Sequence, residues 1–90
     1  MTGLEQYLYA EAKETFAGII QFMRERAGYS QAEFGARIGK DQAAISKYEL
    51  KKRLPSEKAL TAIIGDLCVS ELERFTVRHF WRQSWRQSRK

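Results

Sequence analysis

Gln42, Ala43, Ser46 and Lys47 lie at i, i+1, i+4 and i+5, a spacing that turns all four to one side of a helix. Their chemistry is that of base recognition. The Gln42 carboxamide can bond bidentately to adenine N6 and N7, and the Lys47 ammonium can reach guanine O6 and N7. Ser46 can bond to either base type, and the Ala43 methyl can meet the methyl of thymine. Chemistry for catalysis is scarce by comparison. The chain has one His and one Cys, with no metal-ligand cluster and no glycine-rich phosphate loop. His79 stands among Arg78, Phe80, Trp81 and Arg82, without an acidic neighbour. No catalytic residue, metal or cofactor is implied, and the chain reads as a binding protein rather than an enzyme.

The elements that must position those four residues are legible around them. Ser30 with Glu33 three residues on has the spacing of a capping box. Phe34 and Ile38 follow on one face at i, i+4, and Gly39 can end that helix in the left-handed conformation. Asp41 can cap a second helix, Gln42 to about Leu50, whose inward face is Ile45 and Tyr48 with Ala44 beside it. Gly35 is small enough to let the two helices cross steeply. The second helix then projects, with a face of short or polar side chains suited to the DNA major groove.

At this point the sequence resembles the lambda-repressor/Cro (XRE-type) helix-turn-helix family. The matching residues are Ser30-Gln31, Phe34-Gly35, Ile38-Gly39, Ile45-Ser46-Lys47-Tyr48-Glu49, Lys52-Arg53 and Pro55-Ser56, within a resemblance covering about residues 15–75. It implies an all-α, compact five-helix DNA-binding domain, here with helical N- and C-terminal extensions. It also implies a small transcriptional repressor of a bacterium or its phage, bound as a dimer to a near-palindromic double-stranded operator. Gln31 matches the family's phosphate-contacting glutamine. Arg24 occupies the position from which the family sends an arginine to the glutamate at Glu49, a pair that would clamp the first helix to the recognition helix. Lys40 departs from the pattern, standing where an apolar turn residue is usual, and is expected near a phosphate.

Length and charge agree with that reading. Ninety residues make one domain, and the net charge of +5 is unevenly spread. Residues 1–14 carry −2, 15–29 carry +1, 30–54 carry +3, 55–75 carry −2 and 76–90 carry +5. Positive charge thus gathers on the helix pair and at the C-terminal end, as a polyanionic partner requires. Lys51, Lys52 and Arg53, in the loop after the recognition helix, are expected to hold phosphates, setting register and affinity without reading sequence. A single cysteine and no evident signal peptide or membrane span lead us to expect a soluble, cytoplasmic protein.

The remaining segments divide the chain into 1–14, 15–75 and 76–90. Residues 2–13 show helical periodicity through Leu4, Leu8 and Ala12, with Tyr7 alongside. With no breaker before Thr15, they are expected to run on into the next helix, unbroken or gently interrupted. From Thr15 to Ala27, Phe16, Ile20, Met23 and Ala27 form a core stripe, and Gly28 ends the helix. Ile19 and Phe22 fall off that stripe, forming a second apolar face that needs a partner. After Pro55-Ser56, the apolar positions Ala59, Leu60, Ile63, Ile64 and Leu67 mark a scaffold helix, with Glu57, Lys58 and Asp66 facing water. Ser70 caps the last helix, in which Leu72 and Phe75 are expected to close the core. Cys68 reads as a small apolar filler.

Beyond residue 75 the resemblance fades while the helical pattern persists. Arg74, Arg78, Arg82, Arg86 and Lys90 recur every four residues, beside Val77, Trp81 and Trp85, and WRQS occurs twice in tandem. Ile19, Phe22, Phe80, Trp81 and Trp85 are therefore expected to pack together, within one subunit or, as favoured here, as contacts for a second copy or another protein, with Leu4, Tyr7 and Leu8 adding surface. An antitoxin-like interaction module that also binds DNA is the alternative function, and a membrane-surface basic helix is a third.

Overall fold

A computed structural model describes residues 15–88. They fold as five helices: α1 Phe16–Arg26, α2 Gln31–Ile38, α3 Gln42–Glu49, α4 Glu57–Leu67 and α5 Glu71–Ser88. The expectations for Leu4, Tyr7, Leu8 and Lys90 lie outside the described residues.

Helix ends follow local side-chain chemistry. Thr15 is extended (φ −126°, ψ 146°), and its hydroxyl accepts a hydrogen bond from the Gly18 N–H at 3.0 Å. α1 therefore begins at its own cap, and the expectation for residues 2–13 lies outside the described residues. The α2 capping box is complete: Ser30 Oγ accepts from the Glu33 N–H, and Glu33 accepts from the Ser30 N–H at 2.8 Å. The Ser30 N–H first, and after it the Ser30 hydroxyl, favour the ionised Glu33 carboxylate and hold its pKa below the ordinary value. Asp41 caps α3 through the Ala44 N–H at 2.8 Å, and Ser56 caps α4 through the Ala59 N–H at 3.2 Å.

The turns are equally specific. Gly39 takes φ +73° at the end of α2. Gly35 permits a close backbone approach where α2 meets the start of α3: a Cβ there would stand 2.7 Å from the Lys40 carbonyl oxygen and 3.1 Å from that of Asp41. α3 ends in a Schellman arrangement, with Lys52 N–H on the Lys47 carbonyl and Lys51 N–H on that of Tyr48. Lys51 fills the left-handed position at φ +64°, where glycine is the usual occupant.

α1 packs against α3, α4 and α5, while α2 packs on α3 and α4. The core joins Phe16, Ile19, Ile20 and Met23 of α1 to Phe34, Ile45, Tyr48, Leu60, Ile63, Ile64, Leu67 and Val77. Here one expectation is decided and another corrected. Ile19 is fully buried, and Phe22, Phe80 and Trp81 pack against the same core, so of the two expected arrangements the second apolar face of α1 takes the one within a single chain, against the favoured contact with a second copy. Leu72 and Phe75 do not close the core; both are exposed, and Val77 is buried instead. The cause is the register of α5. Glu73 turns inward to Arg26, accepting from its two terminal nitrogens at 2.8 Å each, and Leu72 and Phe75 are thereby carried outward. Farther along, the Trp81 indole N–H donates to the Pro55 carbonyl at 2.9 Å, which satisfies the polar edge of a half-buried ring.

Candidate nucleic-acid interface

The exposed side of α3 carries Gln42, Ala43 and Lys47 in the open, with Ser46 half-buried beside them. Ala44, Ile45 and Tyr48 anchor the opposite side in the core. That division follows from helical spacing: the apolar residues fix the rotation of the helix, and the polar set must face away. Burial raises the Tyr48 phenol pKa above its ordinary value.

Glu49, at the last position of α3, sets the orientation of this face. Its carboxylate accepts from Arg24 Nε at 2.7 Å and from Arg24 Nη2 at 3.0 Å, a bidentate pair between α3 and α1. Arg24 Nη1 also donates to the Tyr29 carbonyl at 2.6 Å, tying down the α1–α2 turn. The Glu49 hydrogen bond holds the Arg24 pKa above its ordinary value, so the guanidinium stays charged despite its burial. Gln31 joins the same carboxylate, its Nε2 donating to Glu49 Oε1 at 3.0 Å. The sequence reading assigned Gln31 to phosphate alone. In the structure one of its amide hydrogens is committed to Glu49, and the second is not. Glu49 thus gathers donors from α1 and α2 at the end of the projecting helix.

Cations divide into two classes. Arg24, Arg26, Arg37 and Arg74 each meet a carboxylate. Among the described residues, Lys40, Lys47, Lys51, Lys52 and Arg53 meet none and are exposed; Lys58 on α4 and Arg78, Arg82 and Arg86 on α5 also meet none, Arg78 being half-buried. Unpaired surface cations keep their field for an external anion. The loop cations also line a groove of about 400 Å³, with Phe16, Tyr48, Leu54, Phe80 and Trp85, so the second half of α5 borders the basic loop.

Several contacts had no sequence signal. Arg26–Glu73 spans 47 positions. Asp66, expected to face water, accepts from Arg37, whose guanidinium lies over the Tyr29 ring at 4.7 Å. The Trp81–Trp85 contact, edge-on at 6.1 Å, is by contrast the one their i, i+4 spacing offers. Cys68 is buried, which pushes its thiol pKa up to about 11 and leaves it protonated at neutral pH. Among the described residues no group of His, Cys, Asp and Glu could hold a metal, and no helix is long and apolar enough to cross a membrane.

No curated protein and no solved structure matches the chain. A family model, HTH_3, described as helix-turn-helix, matches residues 20–72. The matched span runs from within α1 to the start of α5 and contains the capped, glycine-jointed α2–α3 pair with its exposed polar face. By that match, and with the geometry it encloses, the chain belongs to the XRE-type helix-turn-helix family of DNA-binding domains.

Proposed function

We propose that the chain is a sequence-specific transcriptional regulator of the small Cro/repressor type, reading a near-palindromic operator through the major groove as a dimer. The observation that carries this reading is the exposed face of α3, where Gln42, Ala43 and Lys47 stand open around a half-buried Ser46. Gln42, at the start of α3, has the bidentate chemistry for adenine, and Lys47 the reach for guanine. Ser46 and Ala43 complete the base-edge contacts. Lys40, Lys51, Lys52 and Arg53 flank this face as phosphate ligands, and the free amide hydrogen of Gln31 suits a phosphate at the start of α2. A dimer places two such faces about one helical turn apart along the duplex.

Reader and clamp separate experimentally. Gln42→Ala is expected to lose about 1–3 kcal/mol on the preferred site and little on random DNA. Lys52→Ala is expected to weaken both, with the slope of log K against log salt shallower by about 1. Site selection from random duplexes, followed by titration of both variants across a salt series, measures these. Equal specificity ratios and equal salt slopes in the two variants contradict the assignment.

A further inference from the structure

The tandem WRQS repeat, at 81–84 and 85–88, has no part in the reading face of α3 or in the loop after it. Nearly all of α5 lies beyond the matched family span, which ends at residue 72. Four residues make slightly more than one helical turn, so the second repeat stands about 6 Å farther along the axis on the same side. Each position of the repeat has its own place in the fold. Trp81 is half-buried, and its indole N–H donates to the Pro55 carbonyl at 2.9 Å, with Trp85 edge-on to it at 6.1 Å. This bond fastens the end of α5 beside the loop that carries Lys51, Lys52 and Arg53. Gln83 and Gln87 line the groove shared with those three cations. Arg82 and Arg86 line a second cleft, beside Glu57 at the start of α4, and Trp85 is a wall common to both. Arg82, Gln83, Arg86 and Gln87 are all exposed. Among the described residues neither arginine pairs with Glu57 or with any other carboxylate.

Charge names the partner. From Val77 to Ser88, α5 carries Arg78, Arg82 and Arg86 and no acidic residue. A solvated helix face mixes both signs; a face of one sign, continuous with a loop of unpaired cations, suits the same polyanion as the loop. Each repeat offers one full positive charge and one neutral amide donor per turn. Those are the groups that contact phosphate and sugar, where they fix position without reading sequence. A lipid surface would need an outward apolar stripe beside the arginines. Trp81 does not supply it, because its ring packs on the core and its N–H is held by Pro55.

We propose that the WRQS repeat is a further phosphate-binding element, in which Arg82 and Arg86, with Gln83 and Gln87, hold the backbone of the duplex flanking the half-site read by α3. This rests on the DNA reading above and extends its footprint beyond the family domain.

Salt dependence counts phosphate contacts, and the full chain serves throughout. On a half-site duplex with flanking pairs on both sides, the double variant Arg82→Gln/Arg86→Gln should flatten the slope of log K against log salt by about 2. Between about 50 and 200 mM salt, wild type should therefore lose about tenfold more of its affinity than the variant. Arg82→Lys/Arg86→Lys should keep the wild-type slope, because charge sets it. Melting temperature and the ratio of affinities for preferred and random duplex should be unchanged in both variants. As the flanking pairs are trimmed away, wild type should come to match the glutamine variant. A wild-type slope in the glutamine variant, a flattened slope in the lysine variant, a difference that survives trimming, or a changed preference ratio each overturns the proposal. Weakened binding to vesicles of anionic phospholipid, with the DNA slope unaltered, overturns it in favour of a membrane surface. Failure of the DNA reading looks different: no duplex is preferred and Gln42→Ala changes nothing, although the two arginines still set the slope. If only the repeat is misassigned, the preference and its dependence on Gln42 survive while the slope ignores Arg82 and Arg86.

Discussion

Arg24 and Arg26 are two positions apart on α1, so helix geometry turns them to nearly opposite sides. Each makes a bidentate pair with a glutamate, one to Glu49 of α3 and the other to Glu73 of α5. The chemistry is the same and the settings differ. The Arg24 side chain is 9% exposed and that of Arg26 29%. Glu49 also takes Gln31 of α2, whereas Glu73 also takes the Val69 N–H, and Arg26 reaches the Leu67 carbonyl at the end of α4. The first clamp therefore holds α3 against its two neighbours. The second fixes the α4–α5 junction and decides which side of α5 faces outward. One arginine orients the exposed face of α3, and the other determines which side of α5 is left exposed.

Removing the more buried acid should do the most damage. Glu49→Ala leaves Arg24 without its charge partner and Gln31 without its acceptor, at a cost of about 3–5 kcal/mol. In a domain of this size that lowers the melting temperature by more than ~12 °C. A calorimetric scan with an unchanged midpoint would mean that the clamp contributes nothing to holding α3.

Glu73→Gln should cost less, about 1–3 kcal/mol, because the more exposed Arg26 regains water. Its loss should also depend on pH. Arg26, and secondarily the Val69 N–H, hold the folded Glu73 pKa below its ordinary value of 4.5, so the unfolded chain binds the proton more readily. Stability from this group is complete above the ordinary value and is lost as pH falls through the folded one. Urea midpoints should therefore show a wide gap between wild type and Glu73→Gln at neutral pH, closing under acid. A gap constant with pH would remove Arg26–Glu73 as a source of acid sensitivity.

The smallest effect lies outside both clamps, at the Schellman end of α3. Lys51→Gly relieves a left-handed lysine and should stabilise the fold by about 0.5–1 kcal/mol, net of the glycine's extra freedom when unfolded. A lower urea midpoint would show that the Lys51 side chain contributes more than its backbone strain costs.

These contrasts trace how far sequence carries. Ser30 with Glu33, Asp41 and Ser56 specify helix starts through bonds spanning three residues, and Gly28 and Gly39 specify turns through their own φ angles. Such features are local, so they were legible, as was the polar outer face of α3 opposite Ile45 and Tyr48. Thr15 is a further local signal: its hydroxyl caps α1 through the Gly18 N–H. The Arg24–Glu49 pair was implied by the family resemblance and not by spacing.

The sequence by itself determined the helices, their caps, the helix-turn-helix joint and the polar outer face of α3, because short-range hydrogen bonds and helical period govern all of them. Only the tertiary structure decided that Ile19 is core, that Glu73 turns inward, and that Leu72 and Phe75 face out. An apolar residue has no preference for one neighbour over another until the elements are docked. The rotation of α5 is selected by a charge pair across 47 positions, a distance at which no local periodicity operates.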